Sequence, residues 1–321
     1  MKPQFRPVSE ASLDLAEKPV PEKGTEQIAE SDASSAKKKS GFWINVAAIL
    51  CVILGVVVMA YPVVATLIMN QSQLVAAQKV QELNKSVYSP EQRKEFIERA
   101  KSYNDQLVSG PILDPFLEKV APNTKLYQDY LTYLNFDGIM ASVVIPKIEV
   151  NLPIYHGTDD ETLSKGAGHL FGSSLPVGGI NTHSVITAHS GLGTATMFDN
   201  LPKLQKGDDI FINVAGETLK YQVTSTEVVI PTDTKSLNVQ NGRDMVTLIT
   251  CTPYGINTHR LLVHADRQPI SQQETKELQE VQYSVWQNWM IIPIILSIWF
   301  IWLVLFPPRK RSGKEGAKHR R

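Results

Sequence analysis

Cysteine is what this sequence has least of, with two in 321 residues, which excludes a disulfide-stapled fold. Neither sign of charge is in excess: 32 basic residues face 32 acidic ones, so nothing global speaks for a nucleic-acid partner. No His/Cys cluster has zinc spacing, and no internal repeat is present. The most informative absence is local. Residues 46–69 carry no charged or strongly polar side chain, enough to cross a hydrocarbon core of ~30 Å as a helix. Residues 289–308 form a second apolar run, broken only by Pro293 and Ser297. Core helices seldom lack a polar stripe over such lengths, so both runs read as membrane spans.

Flanking charge orients them. Lys37, Lys38 and Lys39 precede the first run, whereas "NQSQ" follows it without charge; Arg309, Lys310 and Arg311 follow the second. The positive-inside rule then places both tails in the cytoplasm and residues from about 70 to 287 outside. A cleaved signal peptide starts its apolar stretch nearer Met1, so the first run reads as an uncleaved anchor. Cys51 lies within it. Cys251 is left as the one extracytoplasmic cysteine, and the count alone leaves open a reactive thiol, an intermolecular bridge or a small buried hydrophobe.

Between these limits the chain divides by composition. Residues 1–41, rich in Pro, Glu, Ser and Lys, read as a disordered cytoplasmic tail, followed by a transmembrane helix at 42–69. Residues 70–136 form an extracytoplasmic helical region, with Ser89 capping a helix that restarts at Pro90. Within it, "SGPILDPFLEKVAPN" has too many prolines for a regular element and too many apolar residues for a plain solvent loop. It must lie on something. From residue 137 to 268 the period shortens to β-rich runs: "MASVVIP", "SVITAH", "DIFINV", "LKYQVTSTEVVI", "MVTLITC" and "HRLLVHA". Ala215-Gly216 marks a tight hairpin, and Asn241-Gly242 opens the strand leading to Cys251. Little helix and many strands indicate a mainly β domain, closed barrel or sandwich. Residues 269–287 form a polar connector expected to be helical, 288–308 the second span, and 309–321 a basic cytoplasmic tail.

Cysteine chemistry needs a thiolate, a proton carrier and a group to hold an oxyanion. Pro253 ends the strand of Cys251, and Arg260 starts the next; if the two strands pair, the guanidinium approaches the thiol. The outer histidines are His156, His169, His183, His189, His259 and His264. His189 is favoured by position, at a strand end before the flexible "SGLG". His259 points to the strand face opposite Arg260. Asp159, Asp160 and Glu161 read as an acidic surface loop before a calcium site.

These residues resemble a known family. "TLITC" with Arg260 nine positions on and His189 upstream looks like a sortase, a membrane-anchored cysteine transpeptidase of Gram-positive bacteria. The likeness runs through "IPKIEVNLPIYHGT", "GHLFGSSLPVGG", "NTHSVITAHSGL" and "TCTPYGINTHRLLV". The two-span topology and "DPF", Asp114, Pro115 and Phe116, resemble the class C, pilin-polymerising branch, in which such a segment (here 109–118) acts as an active-site lid. The resemblance implies a sortase-type eight-stranded β-barrel with short helices, flanked by two transmembrane helices. It implies that Cys251 attacks the Thr–Gly bond of an LPxTG-like sorting signal to form a thioester, that His189 shuttles protons, and that Arg260 holds the substrate carbonyl or the oxyanion. The implied partners are pilins and surface proteins bearing the signal, a pilin lysine as acceptor, and the cell membrane; no metal or organic cofactor and no nucleic acid is implied. Two departures stand out: Glu149 where glycine is commoner, and "HADR" after "RLLV". Two other readings remain, a housekeeping sortase that uses a peptidoglycan amine and a non-catalytic adhesion or assembly scaffold with an inert thiol.

Overall fold

The computed structural model describes residues 25–107, 114–116 and 124–306. The remainder of the expected N-terminal tail, most of the segment 109–118 and the basic C-terminal tail lie outside the described residues. Two compact units result, residues 1–56 with 300–321, and residues 57–299.

Helix α1, Thr25–Ser86, is continuous, so residues 25–41 of the stretch read as a disordered tail are helical, and the helix runs well past the apolar residues. Among the described residues, two helical segments are long and apolar enough to cross a membrane, Phe42–Ser86 and Asn288–Leu305. The second comprises a 3-10 turn, Asn288–Met290, and helix α6, Ile291–Leu305. Helix α2, Pro90–Gln106, starts as its sequence predicts: the Ser89 hydroxyl accepts the Gln92 N–H at 3.3 Å, and the Ser89 N–H donates to the Gln92 side chain at 2.9 Å. This capping box satisfies two donors that a helix start leaves orphaned. Ile97 and Ala100 are buried on the inner face of α2. Asn104 near its end exchanges two hydrogen bonds with the Leu175 backbone, at 3.1 and 2.7 Å.

Eight strands close a barrel, as the resemblance implies. They are β1 Ile139–Ile145, β2 Val150–His156, β3 Ala167–His169, β4 Thr182–Thr187, β5 Asp209–Val214, β6 Glu217–Val229, β7 Asp244–Thr252 and β8 His259–Gln268. Around the barrel the order is β1-β2-β3-β4-β7-β8-β6-β5, with β2–β3 and β4–β7 parallel and the other pairs antiparallel. Closure removes every exposed edge. Short helices α3, Lys125–Tyr130, and α4, Asp160–Lys165, precede β1 and β3.

Six of the strands match the β-rich runs, and two do not. In β2, Pro153 stands mid-strand, a residue that argues against a central position from sequence alone; β3 is only "AGH". The hairpin at Ala215-Gly216 is present: both residues have positive φ, 46° and 81°, and join Val214 directly to its partner Glu217. Glu149 takes the left-handed conformation, φ 55° and ψ 36°, where glycine would sit without strain. The acidic residues at 159–161 start α4, with Asp159 accepting the Thr162 N–H at 2.9 Å and Glu161 pairing Lys165. The connector is helical only over α5, Gln272–Glu280, and has no regular secondary structure from Val281 to Gln287. Valines, Tyr283 and Trp286 in that last stretch disfavour helix relative to the polar residues before them.

Candidate active site

Strand β7 is central, with β4 parallel on one side and β8 antiparallel on the other. Its interior residues from Met245 to Cys251 are all buried. β-Branched Val246, Thr247, Ile249 and Thr250 suit such a doubly covered strand. Pro253 and the turn that follows end it. The N–H groups of Ile256 and Asn257 both donate to the Pro253 carbonyl, at 3.0 and 2.9 Å, and Asn257 takes φ 61°. The chain thus reverses so that Cys251 faces Arg260 across the ladder. Directly opposed residues on an antiparallel pair project to one side, so thiol and guanidinium share a face.

The third residue arrives from the parallel side. β4 pairs Thr187 with Ile249, and the Ala188 N–H donates to the Ile249 carbonyl at 3.2 Å. Carried two residues past the last paired residue, Thr187, that register would bring His189 level with Cys251. His189 therefore lies just past the strand and does not end it, because the ladder stops at Thr187. Ser190 next to it donates its hydroxyl to the Cys251 carbonyl at 2.6 Å.

Over these three side chains lie Asp114, Pro115 and Phe116. Arg260 Nε and Nη2 donate to the two Asp114 carboxylate oxygens at 2.8 and 3.1 Å, a bidentate pair whose side chains are only 6% and 5% exposed. A third nitrogen, Nη1, donates to the Asn257 and His259 carbonyls. Asp114 also accepts the Phe116 N–H at 3.0 Å, which turns the segment tightly. The Phe116 ring sits between the flanking residues, 4.9 Å from the Arg260 guanidinium carbon and 5.5 Å from the His189 ring. Its outer edge packs on an apolar cluster of Leu170, Val185, Leu237, Ile249 and Leu262. The "DPF" stretch, too apolar for solvent, finds its surface here.

Burial governs the charge state. It pushes the Cys251 thiol above its ordinary value, helped by the Asp114 charge and opposed by Arg260. It pushes the His189 imidazole down, against a small opposing pull from Asp160. Both groups are therefore held neutral beneath the cover. Four other histidines are engaged elsewhere. His169 is stacked on and bonded to Tyr130, His156 meets the Tyr133 carbonyl, and His183 and His264 flank the Thr247 hydroxyl at 2.6 and 2.8 Å. Contacts that the sequence does not reveal are those of Ser190 and of Asp199, which accepts the Gly191 N–H at 2.7 Å. "HSGLG" reads only as a flexible loop; the Ser190 bond cannot be inferred without knowing that β4 adjoins β7, and the Asp199 bond depends on how the loop itself folds back.

A sortase-domain family model matches residues 143–268, from within β1 to the end of β8. Sortase C-1 of Actinomyces oris is 57% identical, with 56% of this chain and 99% of that one covered at a TM-score of 0.54. The lid-mutant form of sortase A from Corynebacterium diphtheriae is 49% identical over 59% and 100% of the two chains, with a TM-score of 0.54. Sortase C of Streptococcus pneumoniae is 41% identical over 61% and 97%, with a TM-score of 0.57. The chain spans about half the length of the curated relatives it matches, 52% in the first two. On this barrel and these matches the chain belongs to the sortase family of cysteine transpeptidases. Its structural neighbours include class C sortases from Actinomyces and from two species of Streptococcus, and within the family it groups with class C.

Proposed function

We propose that the protein is a membrane-anchored class C sortase that joins pilin subunits, using Cys251, His189 and Arg260. The observation that supports this reading best is that Cys251 faces Arg260 across the ladder while Asp114 and Phe116 lie on Arg260 and His189. In the first half-reaction the Cys251 sulfur attacks the Thr carbonyl of an LPxTG-like signal. The C–N bond to glycine breaks, a thioester forms, and His189 delivers a proton to the departing amine. Arg260 holds the carbonyl oxygen as charge develops on it. In the second half-reaction a neutral pilin lysine amine attacks the thioester, His189 accepts its proton, and Cys251 leaves as the thiolate, which restores the starting thiolate–imidazolium pair. An isopeptide bond replaces the peptide bond that was cleaved, so no external energy source is needed.

On the same reading Asp114, Pro115 and Phe116 act as a lid. While closed, the lid occupies the guanidinium that substrate needs and keeps thiol and imidazole neutral. Opening removes the Asp114 charge from Cys251 and admits water, and both changes lower the thiol pKa toward a usable thiolate. That a C. diphtheriae relative exists as a lid mutant supports such a segment here. The S. pneumoniae sortase C has been described in terms of pilin substrate specificity, which supports pilins as substrates. The two apolar helices and the flanking basic residues support two spans, an extracytoplasmic barrel and cytoplasmic ends.

Incubation with a sorting-signal peptide, followed by mass spectrometry of the intact protein, tests the reading. Wild type should gain the mass of the acyl fragment on Cys251, and Cys251→Ala should gain none. The substitution removes only a sulfur at the barrel rim, so its melting temperature should stay within a few degrees of wild type. An adduct that persists in Cys251→Ala removes the thiol from the mechanism.

A further inference from the structure

The loop after His189 is pinned on the barrel side by Ser190 on the Cys251 carbonyl, by Asp199 on the Gly191 N–H, and by the Phe198 N–H on the His189 carbonyl at 3.0 Å. A further set of bonds reaches it from outside the barrel. Asn70, the first residue past the apolar stretch of α1, accepts the Thr196 N–H at 3.1 Å and donates to the Thr196 hydroxyl at 2.9 Å. The same amide nitrogen donates to the Val285 carbonyl at 3.1 Å, in the connector that leads to α6. One side chain thus ties together the exit of the first apolar helix, the His189 loop and the entry to the second.

The point of attachment matters for the histidine. Between Thr196 and Phe198 stands Met197, buried and at φ 39°, a left-handed conformation that a residue with a β-carbon adopts only when its neighbours hold it. Phe198 in turn carries the bond to the His189 carbonyl. Releasing Thr196 frees Met197 to relax, and the relaxation reaches His189 through Phe198.

We infer that Asn70 is a positioning residue for His189, coupling proton transfer at the active site to the membrane-proximal ends of the two apolar helices. The inference rests on the reading of His189 as the proton carrier. It is tested on the full chain in lipid nanodiscs, by rates of thioester formation with the sorting peptide and by hydrogen exchange at the Thr196 amide. Asn70→Ala should speed that exchange, lower kcat roughly tenfold, the scale of a slightly misplaced catalytic group, and leave KM within about twofold. The acid limb of its pH profile should move toward the ordinary imidazole value near 6.5, as a loosened His189 becomes better hydrated. Asn70→Asp retains the acceptor for the Thr196 N–H and loses both donated bonds; it should fold and fall between wild type and Asn70→Ala. Faster exchange at Thr196 with kcat and pH profile unchanged in both variants would make Asn70 a purely structural tie and overturn the inference. Full turnover in His189→Ala instead overturns the underlying reading, whatever the Asn70 variants do.

Discussion

Removing Asp114 and Phe116 together is the most direct probe of what covers Cys251. Both carboxylate oxygens are bonded to Arg260 in a nearly dry setting, and Phe116 lies against the same guanidinium. Truncating one partner of a buried ion pair costs ~3–5 kcal/mol when the other charge stays buried. Here the segment can swing away and let Arg260 hydrate, so the loss should appear as a shift from closed to open. Taking ~3 kcal/mol, at about 1.4 kcal/mol per factor of ten, the open fraction rises ~10²-fold until it saturates. In Asp114→Ala/Phe116→Ala the alkylation of Cys251 by iodoacetamide should therefore accelerate by about two orders of magnitude. The pH dependence separates two causes. Access sets the plateau rate reached once the thiol is fully ionised. The thiol pKa sets the midpoint, which should fall because burial and the Asp114 charge both hold it up in the wild type. Equal plateau rates in the double variant and the wild type would refute closure. A lowered midpoint with no change in plateau would leave Asp114 an electrostatic role only.

Asp199 supplies a pH-dependent prediction. Burial raises its carboxyl from 3.8 to about 6, so its ionisation opposes folding, and stability is lost as pH rises from the lower value through the higher. Asp199→Asn keeps an acceptor for the Gly191 N–H, and its melting curve should match wild type near the lower pH and exceed it at neutrality. The gain should be about 1 kcal/mol, discounted for partial solvent exposure of the side chain. Glu149→Gly relieves a left-handed residue and should raise stability by about 0.5–1 kcal/mol in thermal melts; an unchanged or lowered melting temperature contradicts the strain argument. For topology, protease added to intact protoplasts should cut an epitope inserted at the exposed Asn241-Gly242 turn and spare tags on both termini. Digestion of the C-terminal tag argues against the second span.

Local patterning and short-range connection account for what was legible in the sequence. Membrane-length apolar runs, the Ser89 cap and the Ala215-Gly216 hairpin are each written in a few adjacent residues. Cys251 and Arg260 belong with them, because strands joined by a short turn pair with their neighbours and a nine-residue separation brings the ends together. His189 was visible as a residue before a flexible loop, while its partner was not: β4 meets β7 in parallel, joining residues 62 positions apart through a crossover with no local signal. Strand β2 was hidden by Pro153 and β3 by its three small and polar residues, since barrel closure imposes extended structure that propensity does not request. The composition of "DPF" announced a segment that needed a surface, and only the fold supplied Arg260 and His189 as that surface. Asn70, Ser190 and Asp199 are unremarkable as letters. The Asp199 bond spans only eight residues and follows the fold of its own loop, whereas those of Asn70 and Ser190 depend on which backbone groups the closed barrel brings within about 3 Å, a choice made by long-range packing and not by neighbours in the chain.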